Sequence, residues 1–95
     1  MKANLFLSKK AIRQIEKASN WFNEQQPGLD KIFLTELDKN ILYIEKNPLK
    51  SQVRYKEVRI RFFKKFDFGI HYIIDKKIIF ILAVFHTSQS DKKWK

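Results

Sequence analysis

The first half of the chain repeats apolar residues at helical spacing. Residues 3–7 form a short apolar segment typical of a strand, and Ser8 is a good helix N-cap because its hydroxyl can accept from a free backbone N–H. From Lys9 onward, apolar residues return every three or four positions, which predicts an amphipathic helix. The apolar stripe of this helix consists of Ala11, Ile15, Ala18 and Phe22.

A second helical stripe follows a turn. The sequence Gln26-Pro27-Gly28 stops the first helix, since proline disfavours helical geometry in the residue before it and glycine permits a left-handed turn. Asn47-Pro48 ends the second helix for the same reason. Its stripe consists of Leu29, Phe33, Leu37, Ile41 and Ile44. The two helices therefore form an antiparallel hairpin that needs a flat surface to cover.

The second half changes to a period of two, which is typical of strands. Residues 53–63 place Val58, Ile60 and Phe62 on one face, and residues 66–74 alternate again. Residues 75–77 form a tight turn, and residues 78–85 are apolar on both faces, which indicates a central strand. The predicted order is β-α-α-β-β-β, an α+β fold in which the helical hairpin packs on one face of a small, mainly antiparallel sheet.

Size and composition limit the chemistry. The 95 residues, of which 44% are hydrophobic, predict one domain over residues 1–95. There is no cysteine, so disulfides and thiolate chemistry are excluded, and two glycines cannot supply a glycine-rich phosphate loop. We expect no cofactor and no metal, because the two histidines lack the spacing of a zinc site. No apolar run approaches the length that spans a membrane, so we expect a cytoplasmic protein without a membrane role.

The charge is strongly basic. Twenty Lys and Arg against ten Asp and Glu give a net charge of +10. Residues 1–50 carry nine basic and six acidic side chains, and residues 51–95 carry eleven and four, so the excess is concentrated in the second half. A charge this high on a small body favours an acidic partner, such as nucleic acid or an acidic protein segment.

Taken in order, these segments resemble the RelE/ParE superfamily of toxins from type II toxin–antitoxin modules, whose ParE branch includes plasmid stabilisation proteins. The resemblance covers nearly the whole chain. It rests on Trp21-Phe22, Gln26-Pro27-Gly28-Leu29, Asn47-Pro48, the run from Phe66 to Tyr72, and the ending Ala83-Val84-Phe85-His86-Thr87-Ser88 with Trp94.

The resemblance implies a cytoplasmic toxin that a cognate antitoxin neutralises, in a toxin–antitoxin hetero-oligomer. Free toxin would arrest growth by one of two routes: ribosome-dependent mRNA cleavage, as an endoribonuclease, or inhibition of DNA gyrase. The family often has proline where this chain has Asp67, and many members have arginine where it has Gln89. If that arginine binds phosphate in the family, this chain has lost the contact. The alternative to a toxin is then an inactive or repurposed basic binding module of the same fold.

Three residues are candidates for catalysis of RNA cleavage, which needs a general base, a general acid and positive charge on the phosphate. Arg59 and Arg61 are two apart on one strand and share a face with Tyr55 and Glu57. If the helices cover the Val58, Ile60 and Phe62 face, both arginines lie on the other face, where paired guanidinium groups suit phosphate. His86 ends the last strand and matches a family position, so it can serve as acid or base.

Other residues are candidates for binding or for the core. Tyr55, the turn lysines Lys64 and Lys65, and the tail lysines Lys92 and Lys93 are predicted to contact nucleic acid or a partner. His71 is interpreted as a partly buried structural residue. The remaining aromatic residues assigned to the core are Phe22, Phe33, Phe62, Phe66 and Phe80.

Overall fold

Two antiparallel helices lie on one face of a five-stranded sheet in the computed structural model, which describes residues 4–87. This arrangement confirms the predicted α+β class and the helical hairpin. The elements in chain order are β1 (Asn4–Leu7), α1 (Lys9–Gln25), α2 (Leu29–Lys46), β2 (Val53–Tyr55), β3 (Val58–Phe62), β4 (Phe68–Asp75) and β5 (Ile78–His86).

The sheet has the order β1-β5-β4-β3-β2. β1 pairs with β5 in parallel, and every other pair is antiparallel, so the sheet is mainly antiparallel as predicted. β5 lies between β1 and β4, which explains why it is apolar on both faces. We call the sheet surface under the helices the helix face and the opposite surface the far face.

The prediction of one strand over residues 53–63 was wrong. The chain reverses at Lys56 and Glu57, and β2 and β3 pair as a hairpin across this turn. Lys56 has a positive φ of 47°, a backbone conformation usually left to Gly, Asn or Asp. Because none of those residues occurs here, the sequence carries no turn signal.

The ends of the helices follow the predicted signals. The Ser8 hydroxyl accepts from the backbone N–H of Ala11 at 3.0 Å and donates to the carbonyl of Leu82 at 2.8 Å, so one side chain caps α1 and fixes it to β5. Gly28 lies between the helices with a φ of 92°, where a side chain would be strained. Neither helix of the described residues is long and apolar enough to cross a membrane.

The core fills the space between the helices and the sheet. Phe22 and Phe33 of the helices pack against Phe66 and Phe68, with ring centroids 4.9 to 5.9 Å apart. Phe62 is not part of this core: it lies on the far face and is 38% exposed. Phe80 stacks on Phe6 of β1 outside the buried cluster. The core assignment is therefore correct for Phe22, Phe33 and Phe66 and wrong for Phe62 and Phe80.

Candidate functional site

The two candidate arginines lie on the helix face of the sheet, not on the far face as predicted. Arg61 pairs with Ile70 and Arg59 with Tyr72, and directly paired residues share a face. Ile70 and Tyr72 belong to the buried cluster beneath the helices. The apolar residues Val58, Ile60 and Phe62 consequently face away from the helices, which reverses the predicted orientation of β3.

Arg61 is held by α2. Its Nε donates to Oδ1 of Asn40 at 2.9 Å, and its guanidinium carbon lies 3.8 Å from the centre of the Tyr43 ring. Arg59 donates from Nη1 to the carbonyl of Ser51 at 2.7 Å, in the segment after α2. Arg61 therefore connects β3 to α2, and Arg59 connects β3 to the segment between α2 and β2.

Asn40 also contacts Glu36, which lies one turn earlier in α2 and is buried as well. The Glu36 carboxylate accepts from the backbone N–H of Lys64 at 3.1 Å. Burial raises the pKa of this carboxyl, but hydrogen bonds from the Lys64 backbone, the Asn40 amide and the Lys65 backbone outweigh it, and the pKa is lowered overall. Glu36 thus remains charged and anchors the loop that carries Lys64 and Lys65.

The far face carries the candidate Tyr55, which was predicted to share a face with Arg59. Its hydroxyl lies 3.3 Å from Nδ1 of His71. His71 is almost completely buried, and burial, with a contribution from the charge of Lys10, lowers its pKa to about 4. Its paired neighbours Ile60 and Ala83 are also buried, and its ring meets the Phe85 ring edge to face at 4.9 Å. His71 is therefore neutral at physiological pH, which agrees with its interpretation as a structural residue.

His86 ends β5 as predicted, but it lies apart from the arginines. It pairs with Phe68, and their rings meet edge to face at 5.2 Å. Between the backbones of His86 and Arg61 lie β4 and a register offset of two residues, a separation of about 12 Å from ordinary sheet spacing. His86 thus lies on the helix face with Arg59 and Arg61 but is separated from them by β4.

His86 instead lines a cavity of about 510 Å³ between α1 and the loop before β4. The walls are mostly apolar, and Trp21 is 55% exposed at its margin. Lys65 and Asp67 are also lining residues. The Asp67 carbonyl accepts from the backbone N–H of Thr87 at 2.7 Å, so the proline-to-aspartate difference does not prevent this loop from closing on the end of β5.

Several residues singled out in the sequence cannot be placed relative to the arginines or the cavity. Lys92, Lys93, Gln89 and Trp94 lie outside the described residues. Within residues 4–87, no three His, Asp or Glu side chains are grouped as metal ligands.

Three polar residues of α2 were not predicted from the sequence: Asn40 and Tyr43, which contact Arg61, and Glu36, which contacts Asn40 and the Lys64 backbone. Glu36, Asn40 and Tyr43 recur at intervals of four and three, so they share one side of the helix. Glu36 and Asn40 are buried, at 8% and 3% exposure. Two polar residues beside the apolar stripe are a signal that a charged residue of the sheet lies opposite, because buried polar groups require partners.

The sequence of the chain also matches a known protein family. Residues 5–91 match the sequence profile of the family described as the ParE toxin of the type II toxin–antitoxin system parDE. The chain belongs to the ParE toxin family. No curated protein sequence matches the chain.

Solved structures agree on the fold. The chain is similar to a structure from the chromosomal ParDE toxin–antitoxin system of P. aeruginosa, with a TM-score of 0.79 and 13% identity, covering 90% of this chain and 96% of that one. It is also similar to a structure of the RelBE2 toxin–antitoxin complex of Mycobacterium tuberculosis, with a TM-score of 0.64 and 15% identity, covering 90% and 99%. At these identities the likeness shows a shared fold, and membership of the ParE family supports the role of a type II toxin.

Proposed function

We propose that this ParE-family chain is a cytoplasmic toxin that arrests growth when free of its antitoxin, by binding a protein target and not by cleaving mRNA. Among the targets implied by the family resemblance, DNA gyrase is the one that fits. The observation that carries the proposal is the engagement of Arg61 with α2 and of Arg59 with the segment after α2.

RNA cleavage would need positive charge beside the scissile phosphate. Arg61 already donates its Nε–H to Asn40 and holds its guanidinium over Tyr43, so the protein fixes its orientation toward α2 and leaves only its remaining N–H groups for a phosphate. Arg59 is oriented in a similar way, because its Nη1 donates to the Ser51 carbonyl. These contacts favour a structural role for both side chains: Arg61 holds β3 against α2, and Arg59 holds β3 to the segment after α2.

The acid–base groups give the same answer. His71 lies on the far face, but burial lowers its pKa to about 4 and leaves little surface for a substrate. His86 lies on the other side of β4 from Arg61. The cleavage reaction requires a base, an acid and a phosphate-binding group within reach of one bond. The positions of the two histidines and the two arginines argue against such a site.

An antitoxin partner is supported separately. The two similar structures come from toxin–antitoxin systems, and the net charge of +10 favours an acidic partner. We therefore place the chain in a hetero-oligomer with its antitoxin, encoded by a neighbouring gene.

The proposal is tested by inducing the chain in a bacterium with and without the neighbouring gene. We expect growth to stop without the neighbour, a DNA-damage reporter to rise, and mapping of mRNA 5′ ends to find no new ends inside reading frames. New ends inside translated frames would support the nuclease and overturn the proposal. Normal growth at a confirmed protein level would favour the inactive binding module.

A further inference from the structure

The charges of α1 oppose its helix dipole. Lys9 and Lys10 begin the helix, its first turn contains no acidic residue, and Glu24 lies in its last turn without a basic residue. A helix dipole favours the reverse arrangement, with acids at the start and bases at the end. α2 follows that rule, with Asp30 in its first turn and Lys46 in its last. Residues that break a local rule are expected where a surface has a function.

Three basic residues of α1 form a surface that we call the α1 ridge: Lys10, Arg13 and Lys17. Their spacing of three and four residues places them on one side of the helix, beside a shallow groove of about 480 Å³. Among the described residues that line the groove, Glu16 is the one carboxylate. Lys10 also lies 5.0 Å from the centre of the Phe85 ring, so the ridge reaches the end of β5.

The apolar cavity beside Trp21 continues the same side of α1. Trp21 is one helical turn beyond Lys17, a rise of about 6 Å. More than half of the Trp21 side chain is exposed, although its ring packs edge to face against Phe22 at 5.2 Å. Exposed tryptophans beside an apolar cavity are frequent anchor points of protein interfaces. The apolar walls are formed by Ala18, Phe22, Phe66 and Phe68.

We propose that the α1 ridge and the Trp21 cavity together bind an acidic segment of the protein that the toxin targets. Carboxylates of the segment pair with the ridge, and one large apolar side chain enters the cavity. Lys10 and Trp21 are eleven residues apart, a rise of about 16 Å, so an extended segment of about five residues spans them. This inference rests on the proposed function and specifies the chemistry of its target.

The mixture of cations and apolar walls favours a protein segment over nucleic acid. A phosphate backbone would use the cations but not the apolar walls of the cavity, whereas a peptide with acidic and apolar residues uses both. The surface spans about 16 Å of α1, from Lys10 to Trp21, which suits a reversible contact with a target more than the sequestration that an antitoxin must provide. Attraction between the basic toxin and an acidic target would speed their encounter.

The test measures the toxin level needed for growth arrest in two variants, Lys10→Glu/Lys17→Glu and Trp21→Ala. Their matched controls are Lys76→Glu/Lys77→Glu in the turn before β5 and Ile32→Ala, which truncates a residue of similar exposure on α2. We expect each ridge or cavity variant to require about tenfold more protein, the effect of losing one interface anchor, and the controls to behave like the parent chain.

Thermal unfolding and rescue by the neighbouring gene serve as readouts of fold and antitoxin binding. We expect all four variants to keep both. Arrest at parental levels by the ridge and cavity variants would overturn the inference while leaving the proposed function intact. Loss of rescue would assign the surface to the antitoxin, and reduced affinity for a short DNA duplex in the ridge variant alone would assign it to nucleic acid; either overturns the inference. If the parent chain causes no arrest, the proposed function fails first.

Discussion

Arg61 of β3 donates to Asn40 of α2 at 2.9 Å, and its guanidinium carbon lies over the neighbouring Tyr43 ring, 3.8 Å from its centre. The strand is thereby attached to the helix through a polar contact at the margin of an apolar core. A guanidinium in this position can satisfy a side-chain oxygen and an aromatic face at once, which lysine cannot do with the same geometry.

We predict that Arg61→Ala lowers the free energy of unfolding by about 2 kcal/mol, because it removes a charged hydrogen bond and a cation–π contact. Chemical denaturation measures the loss, and Arg54→Ala is the control, since the Arg54 guanidinium lies over the exposed Phe62 ring on the far face. We expect growth arrest to persist at temperatures where the variant is folded. Unchanged stability together with complete loss of arrest would instead indicate a catalytic arginine.

Glu36 gives a second prediction. Because hydrogen bonds lower its pKa below the usual 4.5 despite burial, its charge stabilises the folded state above that value, and this contribution is lost as the pH falls through the lowered pKa. We expect Glu36→Gln to lose about 1–2 kcal/mol at neutral pH, the range for a weakened buried hydrogen bond. Its stability should also fall less steeply than that of the parent chain in acid. A parallel pH profile for the two proteins would contradict this role.

His71 is expected to affect stability in a higher pH range than Glu36. Its pKa of about 4 in the folded protein lies below the ordinary 6.5, so the unfolded chain binds a proton first as the pH falls. The contribution of His71 to the free energy of unfolding is therefore fully present above pH 6.5. It is lost as the pH falls from about 6.5 to about 4, and it amounts to at most about 3 kcal/mol for this shift. His71→Phe should remove that slope, and Tyr55→Phe should retain it. An unchanged slope in His71→Phe would show that another group titrates.

Gln14 protects the edge of β5 beyond the end of β1. Its Oε1 accepts from the backbone N–H of Val84 at 2.8 Å, where β1 no longer pairs with the sheet. We predict that Gln14→Ala costs about 1–3 kcal/mol, the penalty for an unsatisfied buried donor, and promotes self-association through the uncovered edge. Denaturation and analytical ultracentrifugation measure the two effects, with Gln25→Ala on the exposed end of α1 as control. Parental behaviour of Gln14→Ala would show that the edge is protected in another way.

Much of the fold is readable from the sequence. Ser8, Gly28 and Asn47-Pro48 each mark a helix end by a local signal, and the structure places all of them where that signal predicts. The central position of β5 follows from its uninterrupted apolar run. These features are predictable because each depends on residues adjacent in the chain.

The orientation of β3 was not readable in the same way. Alternation identifies two faces but not which face the helices cover, and the usual rule assigns them to the apolar face. Here the rule fails because the middle of the far face is also buried, at Ile60 and His71, while α2 supplies Asn40 and Tyr43 for the arginine side. The deciding information is a contact between residues 21 positions apart.

The most direct test of the central claim adds the purified chain to two reconstituted reactions. One contains DNA gyrase with supercoiled plasmid, and the other contains translating ribosomes with a defined mRNA. We predict that the chain blocks gyrase and leads to cleaved plasmid, while the mRNA remains intact, and that the purified antitoxin reverses the effect. Cut mRNA with unaffected gyrase would contradict the account.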